Sequence, residues 1–197
     1  MNVEFIQQPI SGQYPEKHFG RTTPYCQWVK FTTNNGHEWV GSFEQGWAEE
    51  GTFIILLHKA EKALVVSGGQ MFLVDVDSQE LIKKTEEAYT KSAVLDEEKE
   101  IVYYTDGAYI NYIDSTGNNN TLFDHYYWDD IKLTTICNNK LYATYYNYQS
   151  SNTAFHLEID IITKEIKDSY YDADRNTFSY EPPGPSLLKK LKNWLTR

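Results

Sequence analysis

The chain's best arrangement for proton transfer is Asp124-His125-Tyr126-Tyr127-Trp128-Asp129-Asp130. A histidine flanked by carboxylates can serve as a general base, because its pKa lies near neutrality and the carboxylates favour its charged form. No serine or cysteine motif accompanies it, so a nucleophilic triad does not follow. A second possibility is a carboxylate pair such as Glu49 and Asp129, acting as acid and base on a glycosidic bond while Trp47 or Trp128 stacks on the sugar. Asp114-Ser115-Thr116-Gly117-Asn118-Asn119-Asn120 is rich in oxygen ligands but lacks the spacing and bidentate glutamate of an EF-hand loop, and reads as a polar turn. Ser67-Gly68-Gly69-Gln70 has no helix after it to complete a phosphate cradle, and reads as a hairpin turn. The five histidines His18, His37, His58, His125 and His156 form no HxH, HxxxH or HExxH pattern. Cys26 and Cys137 stand far apart without CxxC spacing and are expected as ordinary buried thiols. Neither a metal nor a cofactor is called for.

The elements that would position these residues are strands. Tyrosine (16), phenylalanine (9) and tryptophan (5) are abundant, and aromatic and β-branched residues suit a pleated, half-buried surface. Cys26–Thr33 and His37–Phe43 form a hairpin about Asn34-Asn35-Gly36, whose residues tolerate positive φ. Three units of about forty residues follow, at about 52–84, 92–123 and 131–169, each a meander of four short strands. Leu64 matches Ile101 and Asp77 matches Asp114 at an offset of 37, Lys99 matches Lys140 at 41, and Asp114 matches Asp160 at 46. One four-stranded meander cannot cover both its faces, so neighbours must stack. The expected fold is all-β: a small or incomplete propeller-like stack of four-stranded antiparallel meanders in one domain, residues 1–181. A β-sandwich of meanders is the alternative.

Stacking sorts the loops. In a meander a-b-c-d, the b–c turns and the d-to-a links emerge at one end and the a–b and c–d turns at the other. The first end collects Trp47, Glu49, Glu50, Glu86, Glu87, Tyr89, Asp106, Asp124, Tyr126, Tyr127, Trp128, Asp129 and Asp130. Aromatics set among charges are the composition of binding hot spots, so these residues are the expected partner-facing surface. Asp96-Glu97-Glu98-Lys99-Glu100, at the other end, reads as a solvated hairpin tip.

Charge is distributed unevenly. The chain holds 18 basic and 28 acidic side chains, a net −10. Residues 182–197 contain Lys189, Lys190, Lys192 and Arg197 and no acid, which leaves −14 on the other 181 residues. Such acidity excludes general nucleic-acid binding, which needs lysine and arginine to neutralise phosphates. After the breaker Pro182-Pro183-Gly184-Pro185, Ser186 can cap a helix. Leu187, Leu188, Leu191, Trp194 and Leu195 then share one face, with the lysines elsewhere. This basic amphipathic segment is expected to dock on the acidic body, and a membrane-surface role is the alternative. No apolar run is long enough to span a bilayer, and the N-terminus lacks a secretory pattern. A cytoplasmic, bacterial-type protein is the expectation.

The segment Val65-Val66-Ser67-Gly68-Gly69-Gln70-Met71-Phe72-Leu73-Val74-Asp75 resembles the central hairpin of a propeller blade. Trp128-Asp129 has no counterpart in the other units, so the pattern departs from a WD40 array. The strand Trp39-Val40-Gly41-Ser42-Phe43, the segment Leu64–Gly69 and the overall character resemble bacterial immunity proteins that neutralise polymorphic or contact-dependent toxins. That resemblance implies a non-enzymatic module that occludes a basic toxin, for instance a nuclease, with carboxylates pairing to its cations. A carbohydrate-active or other hydrolase is the alternative, and a membrane-associated scaffold is a further one.

Overall fold

The computed structural model describes residues 1–21, 25–48, 50–124, 128–146 and 154–172. Sixteen strands and one short helix follow in order: β1 (Asn2–Ile6), β2 (Glu16–Phe19), β3 (Cys26–Thr32), β4 (Glu38–Glu44), β5 (Phe53–Leu57), β6 (Lys62–Ser67), β7 (Gln70–Asp75), β8 (Glu80–Ala88), β9 (Ser92–Asp96), β10 (Ile101–Thr105), β11 (Tyr109–Asp114), β12 (Asn119–Asp124), β13 (Asp129–Cys137), β14 (Lys140–Tyr146), β15 (Ala154–Asp160), β16 (Ile166–Asp168) and α1 (Ser169–Asp172). They form four four-stranded sheets, three of them simple meanders. The N-terminal sheet has the order β1-β3-β4-β2, with β2 parallel to β4. The expected hairpin is thus the centre of a complete sheet, flanked by two strands that sequence reading left out. Both are short and largely exposed, so neither carries an alternating apolar signal.

Three cores hold the sheets in series. Val29, Phe31, Trp39 and Phe43 of the first sheet meet Ala63, Val65, Phe72 and Val74 of the second. Leu64, Val66, Met71 and Leu73 on the second sheet's opposite face meet Val102, Tyr104 and Ile113 of the third. Tyr103 and Ile110 then meet Leu133, Leu141, Ala143, Tyr145, Leu157 and Ile159 of the fourth. The middle sheets are buried on both faces, which explains the unbroken apolar runs of β6 and β7. Among the described residues no core joins the fourth sheet back to the first, so the stack is an open, propeller-like arc and no closed barrel. Burial in the last core, with Asp96 adding to it, pushes the Tyr103 phenol up to about 12.

The a–b turns fix the true repeat. Glu61, Glu100 and Asn139 all take positive φ, at 55°, 51° and 62°, and each immediately precedes the second strand of its sheet. They are spaced 39 residues apart. Register pairs Lys62 with Asp75, Ile101 with Asp114 and Lys140 with Asp160. Asp75, not Asp77, is therefore the counterpart of Asp114, and the offsets of 37 and 41 were each off by two. Side chains alternate with period two, so a slip of two keeps every residue on its expected face. The repeated Val-Asp of Val74-Asp75-Val76-Asp77 offered both registers.

The outer faces of the arc are closed differently. On the first sheet, the Val40 N–H donates to the Pro15 carbonyl (2.9 Å), His18 Nδ1 lies 2.6 Å from Ser42 Oγ, and Lys30 sits over the Tyr14 ring. On the fourth sheet, Tyr142, Thr144, His156 and Glu158 occupy the places that Leu64, Val66, Met71 and Leu73 hold in the second, so this terminal face is polar. Cys137 is exposed and Cys26 half-buried, which corrects the expectation of two buried thiols. The segment 182–197 and its amphipathic pattern lie outside the described residues, as does His125.

The loop end of the arc as candidate functional site

The β4–β5 loop is built on backbone rather than on side chains. The N–H groups of Gly46, Trp47 and Ala48 donate to the carbonyls of Ser67, Ala88 and Gly68, each at 2.9 Å. The Gly69 N–H donates to Gly51 (2.6 Å), and the Thr90 N–H to Gly69 (2.9 Å). The β6–β7 turn, the β8–β9 link and the β4–β5 loop are thereby one body. Gly69 makes the turn at φ 87°, and a Cβ on Gly51 would overlap the Thr90 carbonyl. The expectation that Ser67-Gly68-Gly69-Gln70 is a hairpin turn is met, and the turn is also the base on which Trp47 stands.

That base holds a tryptophan in water. Trp47 is 84% exposed and Tyr89 46%. Ordinarily a tryptophan contributes by burial, so a fixed backbone presenting an exposed one is unusual for a purely structural element. Lys91 lies 5.5 Å from the Tyr89 ring centroid. Tyr25, Tyr109 and Tyr146 are likewise exposed. Their strand positions place them at the same end: Tyr25 precedes β3, Tyr109 pairs with Asp124, and Tyr146 pairs with Asp129. Sequence reading missed these three. Tyr109 and Tyr146 are strand residues next to a loop and Tyr25 immediately precedes its strand, and the pairing that puts them at the loop end can be read only once the register is known.

Trp128 corrects the expected set. It is 4% exposed, packs against Phe123 and Tyr145, and its indole N–H donates to Asp168 (3.4 Å). The same buried carboxylate accepts the Tyr145 hydroxyl at 2.9 Å and the Tyr170 N–H at 2.9 Å. Trp128 therefore anchors the fourth sheet instead of facing a partner. Glu49, Tyr126 and Tyr127 lie outside the described residues, and so does the side chain of Glu87.

The acids divide into two groups. Asp130 sits at φ 49° where β13 bulges against β14. Its carboxylate is 2.8 Å from Lys91 Nζ and 3.6 Å from Lys132 Nζ. Hydrogen bonding to Lys91 outweighs burial and holds the Asp130 carboxyl below its ordinary range. The same contact holds the Lys91 ammonium above its own range. Glu50 is 3.7 Å from Lys132. Glu44, not among the expected residues, pairs with Lys84 at 2.6 Å and is also held low. Asp130 and Glu50 are thus not a free acidic patch. Asp130 instead ties the third sheet to the fourth beside the bond from the Ile131 N–H to the Gly107 carbonyl. A carboxylic acid poised to donate a proton would need the opposite displacement. Asp106 accepts the N–H groups of Ala108 and Tyr109 and shapes its own turn. Glu86, Asp124 and Asp129 are exposed, and among the described residues no lysine lies within ion-pair distance of them.

The described residues hold no cluster of metal-ligating side chains. Asp114 is spent on its own turn, accepting from Thr116 N–H (2.8 Å), Thr116 Oγ1 (2.7 Å) and Asn118 N–H (3.1 Å). Burial alone would raise its pKa, but these bonds lower it on balance. No described helix is long and apolar enough to cross a membrane.

No protein-family model and no curated protein matches the chain. Solved structures resemble it distantly. An S. cerevisiae assembly of Dbp5 bound to Nup159 and Gle1 is 12% identical, with 78% of this chain and 42% of that chain covered and a TM-score of 0.46. Kuenenia stuttgartiensis hydrazine synthase is 11% identical over 63% and 36% of the two chains, with a TM-score of 0.43. The WD40 domain of SCAP from fission yeast is 8% identical over 85% and 36%, with a TM-score of 0.31. The chain spans less than half the length of each, and at these values the fold of the chain is carried by its own sheet order: an all-β, propeller-like arc of four four-stranded sheets.

Proposed function

We propose that the chain is a non-enzymatic protein-binding module that uses the loop end of its arc, in its most specific form an immunity protein that occludes a basic cognate toxin. The observation that supports this reading is the gathering of Tyr25, Trp47, Tyr89, Tyr109 and Tyr146 at one end, exposed, with Glu86, Asp124 and Asp129 among them. Large aromatics that a partner can desolvate supply most of the energy of an interface, and charges around them raise the association rate and select the partner. Trp47 is the expected anchor because its backbone is already fixed, so little conformational entropy is lost on binding.

The test is genetic and then biophysical. The gene upstream should encode a large secreted protein with a variable C-terminal domain, and co-expression of this chain should restore growth to cells making that domain. Trp47→Ala should abolish the rescue. Asp124→Asn with Asp129→Asn should slow association several-fold and reduce its salt dependence. Failure to rescue growth refutes the immunity reading. Unchanged affinity in all three substitutions moves the interface away from the loop end.

A further inference from the structure

Each of the four sheets has two edge strands, and one of the eight is unlike the rest. β5 reads Phe53-Ile54-Ile55-Leu56-Leu57 and holds no charge, proline or glycine. The other seven each carry at least one charged residue, and the pairings of β8, β12 and β13 are bulged as well. Charges and bulges keep a sheet edge from pairing with another chain. β5 has neither, and its register with β6 is unbroken from Phe53 to Leu57.

That edge faces the hollow of the arc. Neighbouring sheets approach one another through the strands that head them: β9 and β13 run close together, β1 and β5 less so, and β5 and β9 least. The backbone of β5 pairs with β6 on one side and, among the described residues, with nothing on the other. Phe53, Ile54, Ile55 and Leu56 are only half-buried. Ile54 and Leu56 lean on the core shared with the first sheet, Phe53 and Ile55 on the core shared with the third. A strand added at the usual spacing of about 4.8 Å would therefore find apolar side chains on both its faces and open N–H and C=O groups along its side. The strands around the hollow carry Glu4, Asp96, Asp129 and Asp130 against Lys132 alone, so the lining strands are net acidic. Charge complementarity then selects the occupant: an extended apolar segment flanked by lysine or arginine.

We propose that β5 accepts such a segment of a protein partner as an added strand of the second sheet. Main-chain hydrogen bonds hold the segment, and its basic flanks orient it. This edge is distinct from the exposed rings of the loop end, and failed growth rescue leaves it standing. The probe is a capped peptide, a valine–threonine alternation between paired lysines, and the readout is amide exchange over residues 53–57 of the full chain. At a peptide concentration about ten times the dissociation constant, the amides on the open edge should exchange about tenfold more slowly. A peptide N-methylated throughout its centre should give no protection, and one with paired glutamates should give far less. Ile55→Lys, which places a charge on the edge, should abolish protection in a chain that still unfolds cooperatively. The N-methylated peptide carries the test where that variant does not fold. No protection over 53–57, equal protection by the N-methylated peptide, or protection confined to residues 46–51 overturns the proposal. So does protection that rises with protein concentration in the absence of peptide, which would make the occupant a second copy of the chain.

Discussion

The two ends of the arc are made by the same four sheets and are built in opposite ways. At the a–b turn end each sheet clasps the next. Asn34 Nδ2 donates to Glu61 Oε1 (2.5 Å). The Lys59 N–H donates to Glu100 Oε1 (2.5 Å), and its Nζ to the Glu98 carbonyl (2.7 Å). Lys99 Nζ then reaches Asn139 Oδ1 (2.5 Å). The Asp96–Glu100 tip, expected to be merely solvated, is one link in this chain, and Glu100 is 8% exposed. At the loop end, backbone bonds do most of the holding, helped by the pairs Glu44–Lys84 and Asp130–Lys91, and Trp47 and Tyr89 are left exposed. One end spends its side chains on cohesion and the other leaves its largest rings exposed, so under the proposed function stability and recognition would sit on different residues.

Substitutions can break or sharpen that division. The largest effect belongs to Trp128, at the loop end by sequence but in the core by structure. Trp128→Ala should cost about 3–5 kcal/mol in denaturant unfolding, with an unchanged slope; a loss below 1 kcal/mol would return Trp128 to the surface. At the clasped end, Glu100→Ala leaves the Lys59 N–H without its acceptor and should cost about 1–3 kcal/mol, read as a lower thermal midpoint. Partner affinity should not change, and a parallel loss of binding would blur the division.

A smaller effect concerns pH. The Asp130 carboxyl is held low in the fold, so its contribution is present above the ordinary carboxylate range, about 4, and is lost as pH falls through the depressed value. Its partner Lys91 is held high, so the same pair also weakens as pH rises past that ammonium's range. Asp130→Asn should flatten the acid limb of a stability–pH curve below about pH 4 and leave the neutral region nearly level apart from a constant offset. An acid limb identical to wild type would show that the pair contributes nothing. The smallest stability effect is Trp47→Ala. With its side chain in solvent, unfolding should shift by no more than about 0.5 kcal/mol, while any binding at this end collapses. A large shift would mean that Trp47 packs and does not present.

Much of the fold could be read in the residues themselves. The apolar runs of β6 and β7, the turns at Asn34-Asn35-Gly36 and Ser67-Gly68-Gly69, and the forty-residue rhythm announced stacked meanders. The hidden parts share a cause. β1 and β2 are short edge strands with largely exposed side chains, and so leave no period-two trace. The slip from Asp75 to Asp77 preserves every face and is invisible to alternation. At the site, Trp47 and Trp128 have similar neighbours in sequence, glycine or alanine and acids for one, tyrosine and acids for the other. What separates them is a carboxylate forty residues away, Asp168, which the indole of Trp128 finds in the core. Lys91 and Lys132 likewise quench Asp130 and Glu50, acids that sequence treated as free, because pairing across sheets depends on register.

The polar terminal face of the fourth sheet has a bearing on how the molecule comes apart. Following one position along the array, Leu64 becomes Tyr103 and then Tyr142, while Leu73 becomes Tyr112 and then Glu158. Each sheet touches only its neighbours, so stability adds up as in a one-dimensional chain of coupled units. The second sheet, enclosed on both sides by carbon, is the strongest link, and the fourth, with a single apolar face, is the weakest. Opening should therefore begin at the C-terminal sheet and travel inward, detaching the strands that carry Asp129, Asp130 and Tyr146 while leaving the platform beneath Trp47 intact.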